Sequence, residues 1–574
     1  MSRWVFRKCP EERPPAQWAH ELSITPLLLE LLWRRGWRSK EDIDNYLSAS
    51  LKTLTNPECW PQIPEAADLL VAELLAGKKL AVWGDYDVDG ITATAMVLEV
   101  LEQHGYSPIS YLPNRLTDGY GLNIAGIHAL AKSGCGILLT VDCGIGNVEA
   151  VAAARALGMT VIVSDHHLPP AILPEAHAIV DPRMAGDWPC AHLAGVGVAF
   201  YLMGAVNARL AQVTGRRYKM DRALDLAALG TLADVMVLEG ENRVLARAGL
   251  EHMGRNCRPG LAALKVVSKL DMGGDINCSQ ALFRLVPRIN AAGRMGDPDL
   301  ALSLLRSDNT KDAERFASEL DARNTERKSE EKRIFMEASE QAEQLLSRKN
   351  YSALVLSGAD WHPGVVGIVA SRIVEAFHRP AMILCGGGDL LKGSGRTLGE
   401  FDLYAALSDC SRCLAGYGGH RQAAGVLLKS CQLEEFREAF HIAALAALGH
   451  EPAEPEILLE GTLDFRQASN HKFLRELELM QPFGPGNEEP VFASPPLLIK
   501  RRALLGRTRE HVVLDVEDQR SGITLQAKAW RRGGEIRPNM EGSYIRLAYT
   551  PRLDTFNGLP HIDLTIRDWR PVQA

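Results

Sequence analysis

The sequence predicts an α/β protein: a doubly wound parallel-sheet domain, a long connecting helix, a second α/β domain and a C-terminal β-barrel. Three observations predict it. From Lys79 onward, short apolar runs (LAVW, ILLTV, VIVS, AIV) alternate with Ala-rich helical stretches (TATAMVLEVLEQHG, VEAVAAARALGM), as parallel strands with crossover helices do. Between Pro298 and Gly358 there is neither glycine nor proline, and residues 311–349 hold 19 charged residues among 39. After the EPAEPE punctuation come five β-like runs (PLLIKRRALL, HVVLDVE, ITLQAKAW, SYIRLAYT, HIDLTI) parted by turn residues, which suits an OB-like barrel.

Taken in order, residues 1–60 read as an N-terminal helical segment (ITPLLLELLWRRGW, KEDIDNYL) closed by a Pro-rich turn, a preface to the first large domain. Residues 61–297 form the doubly wound domain. Residues 298–349 form the connecting helix, with Phe316, Leu320, Ile334, Phe335 and Leu345 at helical spacing. A second α/β domain follows over 350–452, rich in glycine motifs, and 453–574 holds the barrel.

The 574 residues exceed one domain, and 46% hydrophobic with 24% charged residues is the composition of an ordinary globular chain. The longest nearly uncharged apolar stretch, Leu193–Val206, is 14 residues, short of the roughly 20 that a membrane span needs, and reads as a buried helix. No membrane partner is expected. The start, MSRWVFRKCPEERPPAQ, carries no export signal, and eleven cysteines without a framework suit a reducing compartment, so a cytoplasmic monomer is expected. Cys410 and Cys413 form the only C-x-x-C and read as ordinary thiols. Net charge is -7, but Pro490–Ala574 holds 14 Lys or Arg against 9 Asp or Glu, a net +5, leaving -12 for residues 1–489. A polyanionic partner therefore has a local basic surface at the C-terminus and an acidic remainder to explain.

Carboxylates explain the remainder. LAVWGDYDVDG puts Asp85, Asp87 and Asp89 just past one strand, LLTVDCG puts Asp142 past the next, VIVSDHH adds Asp165, His166 and His167, and GTLADVMVLEG adds Asp234. So many carboxylates at one sheet edge repel unless cations neutralise them, and two divalent ions are the economical solution. In an extended D-x-D, alternate side chains share a face. The adjacent histidines point differently, so one is expected to coordinate metal and the other to meet substrate.

GDYDVDG, TVDCG, SDHH and LADV, in this order, resemble the four leading motifs of the DHH phosphoesterase superfamily. PRINAAGRMGDP, WHPGVVGIVASRI, KGSGRT and GYGGHRQAAG are similar to motifs of its bacterial branch of single-strand-specific DNA exonucleases. The resemblance spans nearly the whole sequence. It implies a DHH-type catalytic domain, a DHH-associated substrate-binding domain and an OB-fold nucleic-acid-binding domain. It implies two Mg²⁺ or Mn²⁺ ions, with Asp87 and Asp89 binding one each, Asp142 bridging, His166 on one ion and Asp234 on the other. His167 would lie beside the scissile phosphate, as an electrostatic stabiliser or an acid, and Asp165 would orient a histidine. Many superfamily members carry a histidine where this chain has Trp83, and whether Asp85 touches metal stays open.

The glycine-rich segments suit a phosphodiester. KGSGRT supplies Ser394 and Arg396 with close backbone approach, and GYGGHRQAAG offers Gly419 and His420 before an expected small-residue helix whose N-terminus favours an anion. Arg115, Arg288, Asn290 and Arg294 are further candidates for gripping phosphates. In the barrel, Arg501, Arg502, Arg507, Arg509, Arg531 and Arg532 with Trp530, Tyr544, Tyr549 and Phe556 supply basic and stacking groups. The expected activity is two-metal hydrolysis of single-stranded DNA from the 5′ end, releasing mononucleotides in recombination and repair, with the single-stranded-DNA-binding protein as partner. Two rivals stay open: a DHH phosphodiesterase or pyrophosphatase acting on small molecules or oligonucleotides, and a non-catalytic DNA-binding scaffold.

Overall fold

The computed structural model describes residues 2–572 except 116–117, 120, 185, 187–189, 256, 272, 451–453, 507–508 and 555–560. It divides into two compact units, Leu54–Ala453 and one built from both ends of the chain, Met1–Thr53 with Glu454–Ala574. Strand β1 (Arg3–Phe6) belongs to the latter.

In Leu54–Ala453 the first sheet comprises β2 (Lys79–Gly84), β3 (Ile109–Tyr111), β4 (Cys135–Val141), β5 (Thr160–Ser164) and β6 (Ala178–Val180), all parallel in the order β3-β2-β4-β5-β6. β5 is buried throughout, as a sheet covered on both faces requires. The order reverses at β2, so the crevice beyond the carboxyl ends of β2 and β4 is the topological switch point where such sheets bind ligands. The helix Gly195–Thr214 is long and apolar enough to cross a membrane by composition, yet most of it is buried in the core beside this sheet.

The helix Thr310–Arg348 runs 39 residues, about 58 Å at 1.5 Å per residue, and starts where the Asn309 side chain accepts from Asp312 N. Its buried positions divide, Ala313, Ala317 and Leu320 facing the first core and Ile334, Ala338 and Ala342 a second. That second core covers β7 (Leu354–Gly358) and β8 (Ala381–Cys385) of a sheet completed by β9 (Leu390–Arg396), β10 (Gly416–Gly419) and β11 (Ala423–Lys429). Only β7 and β8 are parallel, in the order β10-β11-β9-β8-β7. The stretch after GYGG is therefore a strand, not the expected helix. Ala423–Lys429 pairs along the whole of β9, and its alternating burial fits a pleat better than a helix face.

The end unit holds β12 (Glu456–Leu459), β13 (Phe492–Ala493), β14 (Leu497–Leu505), β15 (His511–Asp518), β16 (Ile523–Ala529), β17 (Tyr544–Asp554) and β18 (His561–Pro571). β14 pairs β15, β15 pairs β16, β16 pairs β18 in parallel, and β18 pairs β17, which returns to β14, an OB-type order. The N-terminal segment does not preface the first domain as expected. β1 pairs in parallel with β12, and helices Pro26–Arg34 and Lys40–Ser48 bury Leu28, Leu32, Ile43 and Tyr46 in the barrel's own core.

Candidate metal centre and phosphate cradle

β2 ends at Gly84 and the chain turns through Asp85 into the helix Val88–Gln103, whose N-cap is Asp87, the carboxylate accepting from Asp89 N at 3.0 Å. The D-x-D is thus not extended: Asp87 caps a helix and Asp89 stands in its first turn. That turn sends the carboxylates apart. Ligand atoms of Asp85, Asp87 and Asp142 lie within 4.8 Å of one another, and so do those of Asp89, His166 and Asp234. His166 Nε2 is 3.0 Å from Asp142 Oδ1, 3.6 Å from Asp234 Oδ2 and 3.8 Å from Asp89 Oδ2, so Asp142 stands between the groups. The grouping differs from the expected partition, since His166 and Asp234 share one group and Asp85 joins the other.

These groups converge without satisfying each other. Asp85 Oδ1, Asp142 Oδ1 and both ring nitrogens of His166 are buried with no hydrogen-bond partner. Burial, then the neighbouring carboxylates, push Asp85, Asp89 and Asp142 well above the carboxylate range. Burial and Asp87 push Asp234 to about 7. Burial, with His167 beside it, holds His166 down at about 3, so its imidazole is neutral and fit to ligate. Hard oxygens, one neutral imidazole and unsatisfied buried acceptors are the donor set of a dinuclear divalent centre.

Backbone donors and glycines hold this set. Asp89 accepts from Gly195 N (2.7 Å) and Val196 N (2.8 Å), the first amides of the helix Gly195–Thr214. A Cβ on Gly195 would sit 2.5 Å from Asp142 Cβ, and one on Gly230 would sit 2.6 Å from Asp89 Oδ1. Asp142 itself lies in the left-handed region at φ 60°. Asp165 belongs to neither carboxylate group. It accepts from Ile145 N (2.9 Å), His166 N (2.7 Å) and His167 Nδ1 (2.7 Å), and against the effect of burial the His167 bond keeps it below the usual range. Burial would lower His167, but the Asp165 bond and charge lift it to about 9.

Opposite the carboxylates stand guanidiniums. Burial, then Arg115 and Arg327, lower Arg294 to about 10, and burial with Arg115 lowers Arg396. Cations brought this close together favour an anion bound among them. Arg294 donates to Gly364 O (3.3 Å), Arg396 to Ser394 Oγ (3.1 Å), and Arg115 lies 5.3 Å from the Tyr86 ring centroid. Gly367, in the first turn of the helix Val366–Phe377, lies close over Ser394 and Arg396, its Cβ position 3.1 Å from Ser394 Oγ.

Two other expected contacts, Asn290 and Arg288, are engaged elsewhere. Asn290 Oδ1 accepts from Val88 N (3.2 Å), bracing the catalytic turn, and Arg288 Nε donates to Asp321 of the connecting helix (2.8 Å). Gly419 and His420 are exposed at the β10–β11 turn, two strands over from the end of β9. In the end unit Tyr549 is core, fully buried with its hydroxyl donating to Leu463 O, while Trp530 is 50% exposed. Arg502 and Arg532 are spent on carbonyls and carboxylates of their own unit, and Arg507 and Phe556 lie outside the described residues.

Sequence reasoning missed Gly195, Gly230, Arg183 and Arg327. A glycine inside an apolar helical run is destabilising and marks a close approach, a signal present in HLAGVGVAF and DLAALGTLAD. Arg183, whose Nε donates to His166 O at 2.6 Å, and Arg327, buried in the connecting helix, had no local signal.

The chain matches the DHH family, N-terminal domain, over residues 79–231, the DHHA1 domain over 350–444 and the RecJ OB domain over 459–568. It is similar to proteins named single-stranded-DNA-specific exonuclease RecJ. The Haemophilus influenzae protein is 33% identical, covering 96% of this chain and 97% of that one, and the Bacillus subtilis protein is 33% identical, covering 99% and 70%. Among solved structures, RecJ of Thermus thermophilus in complex with Mn²⁺ superposes with a TM-score of 0.83 at 30% identity, covering 100% of this chain and 80% of that one, and the Mg²⁺ complex with 0.76 at 29%, covering 100% and 79%.

Proposed function

The chain belongs to the RecJ family of single-stranded-DNA-specific exonucleases, and from that premise we propose that it hydrolyses single-stranded DNA from one end at a dinuclear Mg²⁺ or Mn²⁺ centre. The observation that carries the reading is the pair of groups, Asp85, Asp87 and Asp142 beside Asp89, His166 and Asp234, with buried acceptors left unsatisfied. Asp142, between them, is the bridging ligand in this reading. Divalent ions bound there supply an activated water and neutralise charge on the phosphoryl group.

The chain's own residues supply the rest. With Nδ1 committed to Asp165, His167 would present Nε2 to the scissile phosphate as a cation, because Asp165 keeps the ring protonated at neutral pH. Arg115, Arg294, Arg396 and Ser394 would take the non-reacting phosphate oxygens, relieving the crowding among the guanidiniums. Arg183 positions His166 through its carbonyl. Trp530 and the exposed arginines of the barrel, Arg501, Arg509 and Arg531, would hold the strand beyond the centre.

The family resemblance alone supports attack from the 5′ end, release of mononucleotides, a role in recombination and repair, and partnership with the single-stranded-DNA-binding protein. Action in a reducing compartment such as the cytoplasm fits the eleven free cysteines. Strands labelled at one end or the other, with and without a 5′ phosphate, test the reading: the 5′ label should leave first as a mononucleotide. Asp142→Asn should stop this while strand binding persists. Internal cleavage, or turnover by the Asn variant, would contradict it.

A further inference from the structure

Arg288, one of the arginines expected at the phosphate, lies on the opposite side of its helix Val286–Arg294 from Asn290, which braces the catalytic turn. Two positions in a helix are about 200° apart, so Arg288 faces away across a helix about 10 Å wide. There it lines a groove of about 450 Å³. Lys269, Arg284, Arg288 and Lys328 line it against the single carboxylate of Asp321, a local excess of positive charge in a chain whose net charge is -7.

Phe283 stands among these cations. It is 74% exposed, and it is carried by a π-helical turn, Ala281–Leu285, a rare geometry frequent at functional sites. A solvent-exposed phenyl ring contributes nothing to the core, while the cations are held in place: Arg284 donates to Ser268 O (3.3 Å) and Lys269 O (3.2 Å), and Arg288 to Asp321. Burial, then Arg288 and Arg327, hold the Lys328 ammonium below its ordinary value, so the groove favours an incoming anion.

An aromatic face flanked by cations matches single-stranded DNA, which offers a stackable base and a phosphate at each repeat. We infer that this groove is a second contact site for the single-stranded substrate, with a base stacked on Phe283 and the adjoining phosphates against Lys269, Arg288 and Lys328. The inference rests on the exonuclease reading and adds to it a binding site outside the catalytic centre.

The test compares full-length wild type with Phe283→Ala, Phe283→Trp and Lys328→Gln on a dinucleotide and on a strand of about 30 nucleotides. Phe283→Ala should raise KM for the long strand about tenfold, the effect of one lost base stack, leave kcat and dinucleotide hydrolysis unchanged, and be rescued by Phe283→Trp. Lys328→Gln should lower the salt dependence of long-strand binding by about one unit of log-log slope. Unchanged long-strand KM in Phe283→Ala, with wild type active, overturns this inference alone. An equal loss on both substrates also overturns it, because Phe283 would then act through the fold or the centre. Failure of wild type to hydrolyse either substrate instead overturns the exonuclease reading, and this inference falls with it.

Discussion

At the scale of single residues, the centre depends on small groups as much as on ligands. Gly195→Ala would drive a methyl group to 2.5 Å from Asp142 Cβ, so Mn²⁺ affinity should fall about 10–100-fold, read by calorimetric titration, with the helix intact by circular dichroism. In the same helix Gly204→Ala meets nothing nearer than Pro57 Cγ at 3.7 Å, so it should leave Mn²⁺ binding alone and stabilise the fold by about 0.5–1 kcal/mol. Asp165→Asn should drop the pKa of His167 from about 9 toward its ordinary value, followed by NMR titration, and an unmoved titration would show that another group holds the proton. The aspartates, both histidines and three arginines, Arg115, Arg294 and Arg396, were legible in the sequence because strand ends and chemically distinctive residues mark themselves locally. Their grouping was not. The pairing of Asp89 with His166 and Asp234, and of Asp85 with Asp142, is set by a helix cap that turns the D-x-D, and caps are decided in three dimensions.

At the scale of elements, what was legible follows the length of the periodic signal. The parallel strands and the 39-residue helix announced themselves through long runs of one pattern. GYGGHRQAAG did not, because alanine favours a helix and both alanine and glycine are depleted in strands, and only pairing with β9 makes that stretch a strand. The barrel separates its aromatics in the same way. Tyr549→Ala, removing a fully buried ring, should destabilise the end unit by about 3–5 kcal/mol in denaturant melts. Trp530→Ala should change stability by less than about 0.5 kcal/mol yet weaken strand binding by about 1–3 kcal/mol, measured by fluorescence anisotropy. Equal effects of the two on binding would leave no role for exposure.

For the whole molecule, the chain closes one unit from its two ends, an arrangement invisible to a residue-by-residue reading because β1 and β12 are separated by more than 400 residues. Deleting residues 1–53 should therefore broaden and lower the melting of the C-terminal unit, whereas residues 54–453 should keep dinucleotide hydrolysis. Electrostatics gives a second test. Without ions, Asp234 holds a proton up to about 7 while the unfolded chain releases it near 3.8, so the folded state binds the extra proton between these values. Asp85, Asp89 and Asp142 act in the same direction and outnumber His166, whose lowered value acts against them, so stability of the metal-free protein should fall as pH rises from about 4 to about 7, and saturating Mn²⁺ should flatten that slope. A slope of the opposite sign in EDTA would contradict the crowding of carboxylates. The most direct measurement is anomalous scattering from Mn²⁺-soaked crystals. The account predicts two peaks about 3.5–4 Å apart, one among Asp85, Asp87 and Asp142 and the other among Asp89, His166 and Asp234, with Asp142 touching both. A single peak, or none at these six side chains, would contradict it.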